Sequence, residues 1–157
     1  MKKVLIVLSI ILILILILFI VTRVYYNNVG VKPNDLYLNK ENSEEMFKAS
    51  MGTYSWNDKG ISVIADSVGP LQIDFTKLID VKAGEKLYFS DENWSVVSAF
   101  AIIAEERKEM ARVTIEANLE EKCIIVPEFT PGEYVIQINL ESEKGDVWYA
   151  AKINITE

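Results

Sequence analysis

The chain contains no histidine. That absence excludes Ser–His and Cys–His nucleophile pairs, histidine-ligated zinc and histidine-based pH sensing together. Cysteine is nearly absent. The one residue, Cys123, cannot form an intrachain disulfide, and in the apolar run "KCIIVP" it reads as a buried thiol acting as a small hydrophobe. The seven glycines are scattered at turn positions, so no glycine-rich phosphate loop is present. No S-x-x-K marks a serine–lysine acyl-transfer site. The paired acids Glu44-Glu45, Asp91-Glu92, Glu105-Glu106 and Glu120-Glu121 read as solvated turns, whereas carboxylate catalysis needs two groups set across a cleft. "SDEN", residues 90–93, offers oxygen ligands without the D-x-D-x-D-G order of a calcium loop, and an ordinary polar turn accounts for it. The sequence therefore predicts no catalytic residue, no metal and no cofactor, and points to binding rather than catalysis.

Charge is absent from Val4 to Thr22, "VLIVLSIILILILILFIVT", where Ser9 and Thr22 are the only polar side chains. As a helix this run spans about 28 Å, close to the hydrocarbon thickness of a bilayer. It is apolar on every side, which suits lipid rather than a one-sided core. No A-x-A cleavage pattern follows it, and no cysteine stands where a lipoprotein signal needs one. Residues 1–23 thus predict an uncleaved, single-pass transmembrane anchor in the cell membrane. Lys2 and Lys3 favour the N-terminus inside and the C-terminal domain extracytoplasmic. Tyr25 and Tyr26 fall where interfacial aromatics sit. Lys2, Lys3 and Arg23 leave with this segment and no acid does, so residues 24–157 carry 13 basic and 23 acidic residues, net −10. Nucleic-acid phosphates and anionic headgroups repel such a domain, which argues against nucleic acid as a partner.

Residues 24–48, polar and rich in asparagine, read as a juxtamembrane stalk with a short helical turn near Ser43 to Lys48. Residues 49–157 read as one extracytoplasmic domain. Within it the C-terminal pattern is strongest. Tyr134, Ile136, Ile138 and Leu140 alternate with polar or smaller residues, and so do Val147, Tyr149, Ala151, Ile153 and Ile155. A turn at Ser142–Gly145 places Leu140 opposite Val147, Ile138 opposite Tyr149 and Ile136 opposite Ala151. Both strands then bury one face, which a one-residue slip would destroy. "LQIDF" alternates as Leu71, Ile73, Phe75; "KAGE" at 82–85 reads as a turn; "RVTIEA" alternates as Val113, Ile115, Ala117. "WSVVSAFAIIA", 94–104, reads as a central strand headed by a core tryptophan, Trp94, although periodicity alone leaves a buried helix open. The fold class expected is all-β: an immunoglobulin-like antiparallel β-sandwich of about seven or eight strands, behind one transmembrane helix and a stalk.

The stretch "GTYSWNDKGISVIADSVGP", 52–70, holds the candidate contact residues. Tyr54 and Trp56 alternate with Thr53 and Ser55, so both rings point to one side of a strand; "NDKG" turns the chain. Asp66 and Ser67 are placed to hydrogen-bond the backbone near Pro70. The bland reading is a covered sandwich edge braced at a turn. The binding reading makes Tyr54, Trp56, Asp66 and Ser67 a partner surface, with Trp148, on the face of the hairpin opposite the buried one, as a second anchor.

"GTYSW" followed by "ADS" and Pro70, with "PGEYVIQINLES…GDVWYAAKI" near the end, resembles a group of small uncharacterised Firmicutes envelope proteins. These carry an N-terminal anchor or lipoprotein signal ahead of a β-rich ectodomain. The resemblance covers residues 50–70 and 130–155 and implies an envelope location without implying an activity; the signal cysteine of the lipoprotein members is missing here. The ending also resembles bacterial immunoglobulin-like domains, including inhibitor-type ones. The expectation is a membrane-anchored binding module of the cell envelope, its partner an envelope protein or a cell-wall component. The alternatives are a protein inhibitor or resistance factor presenting a loop (90–93 or 105–109), and a carboxylate-based enzyme.

Overall fold

A computed structural model describes residues 2–28, 31–58, 60–89, 95–103, 112–118 and 120–157. They fall into two compact units, Met1–Val31 and Lys32–Glu157. The first unit holds α1 (Lys2–Asn28). Its large apolar side chains from Leu8 to Val21 are each 47–69% exposed. Among the described residues no helix is long and apolar enough to cross a membrane.

The second unit is built of strands. In chain order these are β1 (Tyr37–Lys40), β2 (Met46–Lys48), β3 (Ser50–Asp58), β4 (Ile61–Ala65), β5 (Leu78–Lys82) and β6 (Lys86–Phe89). They continue with β7 (Ser95–Ile103), β8 (Arg112–Ile115), β9 (Ala117–Asn118), β10 (Cys123–Ile125), β11 (Gly132–Ser142) and β12 (Gly145–Thr156). One sheet has the order β2-β1-β6-β10-β9 and the other β4-β3-β12-β11-β7-β8, with β5 pairing β12. The β11–β12 hairpin has the register its alternation requires: Leu140 opposite Val147, Ile138 opposite Tyr149, Ile136 opposite Ala151. The long β12 has β11 along one side; along the other it pairs β3 up to Ala150 and then β5, in parallel, from Lys152.

Two strands pass from sheet to sheet. Ala49 alone separates β2 from β3; it is 2% exposed and its N–H donates to Leu36 O at 2.9 Å. Glu116 alone separates β8 from β9, and its carbonyl accepts from Ile125 N–H at 3.0 Å. The two layers are therefore stitched together through β2–β3 and through β8–β9. One apolar cluster fills the space between them: Leu36 just before β1 and Leu38, Phe47, Leu87, Phe89 and Ile124 from the first sheet meet the inward residues of β11 and β12. At its centre Tyr149 is fully buried and its hydroxyl donates to Asn34 O, tying the chain before β1 to the second sheet. Tyr149→Phe is expected to cost about 1–2 kcal/mol, because the phenyl ring still fills the site but the carbonyl loses a donor. Urea unfolding reads it, and an unshifted midpoint would show the hydroxyl to be dispensable. Near the start of β11, Tyr134 Oη donates to Thr130 O at 2.7 Å.

Several elements differ from expectation. The strands outnumber the seven or eight read from the pattern because β1, β2, β9 and β10 have only two to four residues each, too few to display a period. Two of them lie in the segment read as a stalk. Leu36, Leu38 and Phe47 are 0–5% exposed, the second unit begins at Lys32, and Met46–Lys48 is strand where a helical turn was expected. "LQIDF" is not a strand: Pro70–Gln72 forms a 3₁₀ turn, and the chain to Thr76 crosses the outer face of the second sheet without a ladder. Trp94 and the segments 90–93 and 105–109 lie outside the described residues.

Candidate functional site

The stretch from 52 to 76 divides into a hairpin and a strap. On β3 the alternation Thr53/Ser55 against Tyr54/Trp56 is kept, but a bulge precedes it. Tyr149 pairs Met51 and Val147 pairs Tyr54, so Gly52 and Thr53 together oppose Trp148. The extra residue lets both Met51 and Tyr54 reach the main core from positions three apart. It also turns Gly52 to the outer face, where a Cβ would lie 2.1 Å from the Trp148 ring. Glycine is there so that the indole can lie flat on the backbone.

The five sequence candidates separate accordingly. Trp56 is 7% exposed and pairs Gly145 on one side and Val63 on the other. Tyr54 is half-buried against the main core. Trp148 is half-buried on the opposite face, in a small cluster with Val135, Ala150, Ile73 and Phe75. Asp66 and Ser67 are exposed. The turn beside them is braced from elsewhere than expected. Ser67 contributes its backbone N–H, which donates to Thr53 Oγ1 at 3.1 Å, and Gln72 N–H donates to Gly69 O at 2.8 Å. Pro70 is buried and Ile73 and Phe75 pin the strap to the sheet.

What this leaves outside is aliphatic. Ile64 is 75% exposed, Val68 53% and Leu71 37%, all within eight positions of one another. Ile64 shares the outer face with Ser55, its partner on β3. The sequence pattern did not single out these residues because the larger rings nearby dominate it; the signal present was that "ISVIA" carries no charge although it borders a turn.

Elsewhere, polar groups are engaged in holding the fold. An open hollow of about 480 Å³ is lined by residues that include Lys40, Asp80, Lys82 and Glu85. Its acids are occupied: Asp80 Oδ1 accepts from Asn154 Nδ2 at 2.7 Å and Glu85 Oε2 from Lys82 N–H at 2.8 Å. On the outer face Gln137 Nε2 donates to Asn139 Oδ1 at 2.9 Å, and Asn139 Nδ2 to Ser98 Oγ at 2.8 Å. Cys123 is buried and free; burial pushes its thiol above the usual range, and the nearby Glu121 carboxylate adds to the effect. Glu121 also hydrogen-bonds Lys86 Nζ, which holds that ammonium above the ordinary lysine range. Among the described residues no cluster of three or more Cys, Asp or Glu is placed to hold a metal ion.

Comparison of the chain with protein-family models, with curated proteins and with solved structures gives no match.

Proposed function

We propose that this chain is a single-pass protein of the bacterial cell membrane whose C-terminal domain, an immunoglobulin-like β-sandwich, acts outside the cytoplasm by binding a partner rather than by catalysis. The observation that carries the anchor is the all-round exposure of apolar side chains on α1 from Leu8 to Val21, in a helix that runs from Lys2 to Asn28. No soluble helix gains by presenting such a surface to water, whereas lipid accepts it on every side. The immunoglobulin-like reading is supported by two antiparallel sheets around one core. It is supported too by the tyrosine near the start of β11 whose hydroxyl returns to the backbone four residues upstream, a corner device of that architecture. The mid-chain β5, parallel to the last strand, is a departure from it. The binding reading is supported by exposed aliphatic side chains on β4 and the segment after it, Ile64, Val68 and Leu71.

Cysteine labelling tests anchor and orientation together. In a Cys123→Ser background, Glu143→Cys puts a thiol on the exposed β11–β12 turn. A membrane-impermeant maleimide should label it on intact cells, and the protein should stay in the membrane pellet through a carbonate wash. Labelling only after lysis, or release by carbonate, would overturn the reading.

A further inference from the structure

We propose that β4 is a strand-addition site, whose free edge pairs with an extended protein segment carrying basic and apolar side chains. The proposal rests on the binding reading above and narrows its partner to one chemistry.

The backbone states which groups are on offer. Asn57 N–H donates to Lys144 O at 2.6 Å, away from β4, so the Asn57–Ser62 pair is one whose own groups turn outward. By the alternation of an antiparallel ladder, Ser62 and Ile64 direct their N–H and C=O away from β3. Among the described residues no strand lies beyond β4. Edge strands are ordinarily blunted by a charge or a proline; "ISVIA" has neither, while β2 carries Lys48 and β8 carries Arg112. The outer-face side chain at the middle of this edge, Ile64, is apolar and 75% exposed. An added strand would satisfy two backbone donors and two acceptors and cover Ile64.

Charge selects the occupant. β4 has no lysine or arginine, and Asp66 directly follows its last residue. A second copy would bring another acidic domain of net −10 against this one, and anionic headgroups are repelled in the same way. A segment alternating basic with apolar residues is attracted instead by the acidic domain, its apolar side chains meeting Ile64 and its bases meeting Asp66 at the end of β4.

The test uses the full chain in nanodiscs of neutral lipid and two ten-residue probe peptides, one alternating valine with lysine, the other valine with glutamate. The lysine peptide should slow hydrogen exchange of the Ser62 and Ile64 amides and should bind more weakly as salt rises. Ser62→Pro removes one outward N–H without removing a β3–β4 bond and should weaken binding by about tenfold or more at an unchanged melting temperature. Ser62→Thr should bind normally. Asp66→Lys should reduce the preference for the lysine peptide over the glutamate peptide. Equal binding of both peptides, absence of protection at Ser62 and Ile64, or normal binding by a folded Ser62→Pro protein would each overturn the proposal. Crosslinking of an Ile64→Cys, Cys123→Ser protein to itself at low concentration would overturn it in favour of a second copy. None of these readouts depends on membrane orientation, so failure of the cell-labelling experiment and failure of this one are separable.

Discussion

Gly145→Ala should lower the stability of the β domain by about 3–5 kcal/mol, the sum of a backbone cost and a steric one. Gly145 has φ +142, which L side chains rarely adopt, and a Cβ there would lie 1.9 Å from Ser55 O, 2.9 Å from Ser55 C and 3.2 Å from Trp56 Cα. All three are backbone atoms, so no rotamer change relieves the overlap; β3 has to move away from β12. It is held against that movement. Gly145 pairs Ser142 and Trp56 at once, Asn57 N–H is bonded to Lys144 O, and Lys144 Nζ lies 3.2 Å from Asp58. Gly84→Ala is the control. Gly84 also has positive φ, +76, but a Cβ there would meet nothing within 4 Å, so it should cost only the conformational part, about 1–2 kcal/mol. Urea unfolding of both variants decides the matter: a Gly145→Ala protein no less stable than Gly84→Ala would mean that β3 gives way freely at this point.

The same region shows how far a sequence reaches. The β11–β12 hairpin was legible because two period-two patterns and one turn had to agree, and a single register satisfies all three. For β7 the near-continuous apolar run reads as a central strand but leaves a buried helix open, and pairing along both edges with β11 and β8 decides for the strand. β1 and β2 were not legible. Leu36, Leu38 and Phe47 are three core residues set among asparagines and charges, and only the pairing of β1 with Tyr88, Phe89 and Leu87, and of β2 with β1, makes those segments strands. The strap misled in the opposite sense. Leu71, Ile73 and Phe75 alternate as a strand would, yet Ile73 and Phe75 bury by lying on a sheet face while Leu71 remains exposed. Period two reports alternating burial, not backbone pairing. The site suffered from the same gap. Alternation places Tyr54 and Trp56 on one side of β3, but which side is inward depends on the pairing with β12, some ninety residues later in the chain, and on a bulge that shifts the parity at Gly52.

Trp56→Ala is the second large effect, and it separates core from contact surface at the residue on which that question turns. The ring is 7% exposed, on a strand clamped between Gly145 and Val63, so truncation should leave a cavity and cost about 3–5 kcal/mol. Trp56→Phe keeps a ring in the site and should lose distinctly less. Because Trp56 Cα is itself one of the atoms a Cβ at residue 145 would press upon, the double variant with Gly145→Ala should cost less than the two single losses added: the space vacated by the indole lets β3 retreat. Strand addition at β4 reads the other side of the same question. Val63, opposite Trp56, is held by β3, whereas Ser62 and Ile64 offer the outward groups, so in conditions where the Trp56→Phe protein is fully folded its affinity for the lysine peptide should match the parent's. A Trp56→Ala protein that melts with the parent but no longer binds the peptide would place the indole at the contact surface and remove it from the core.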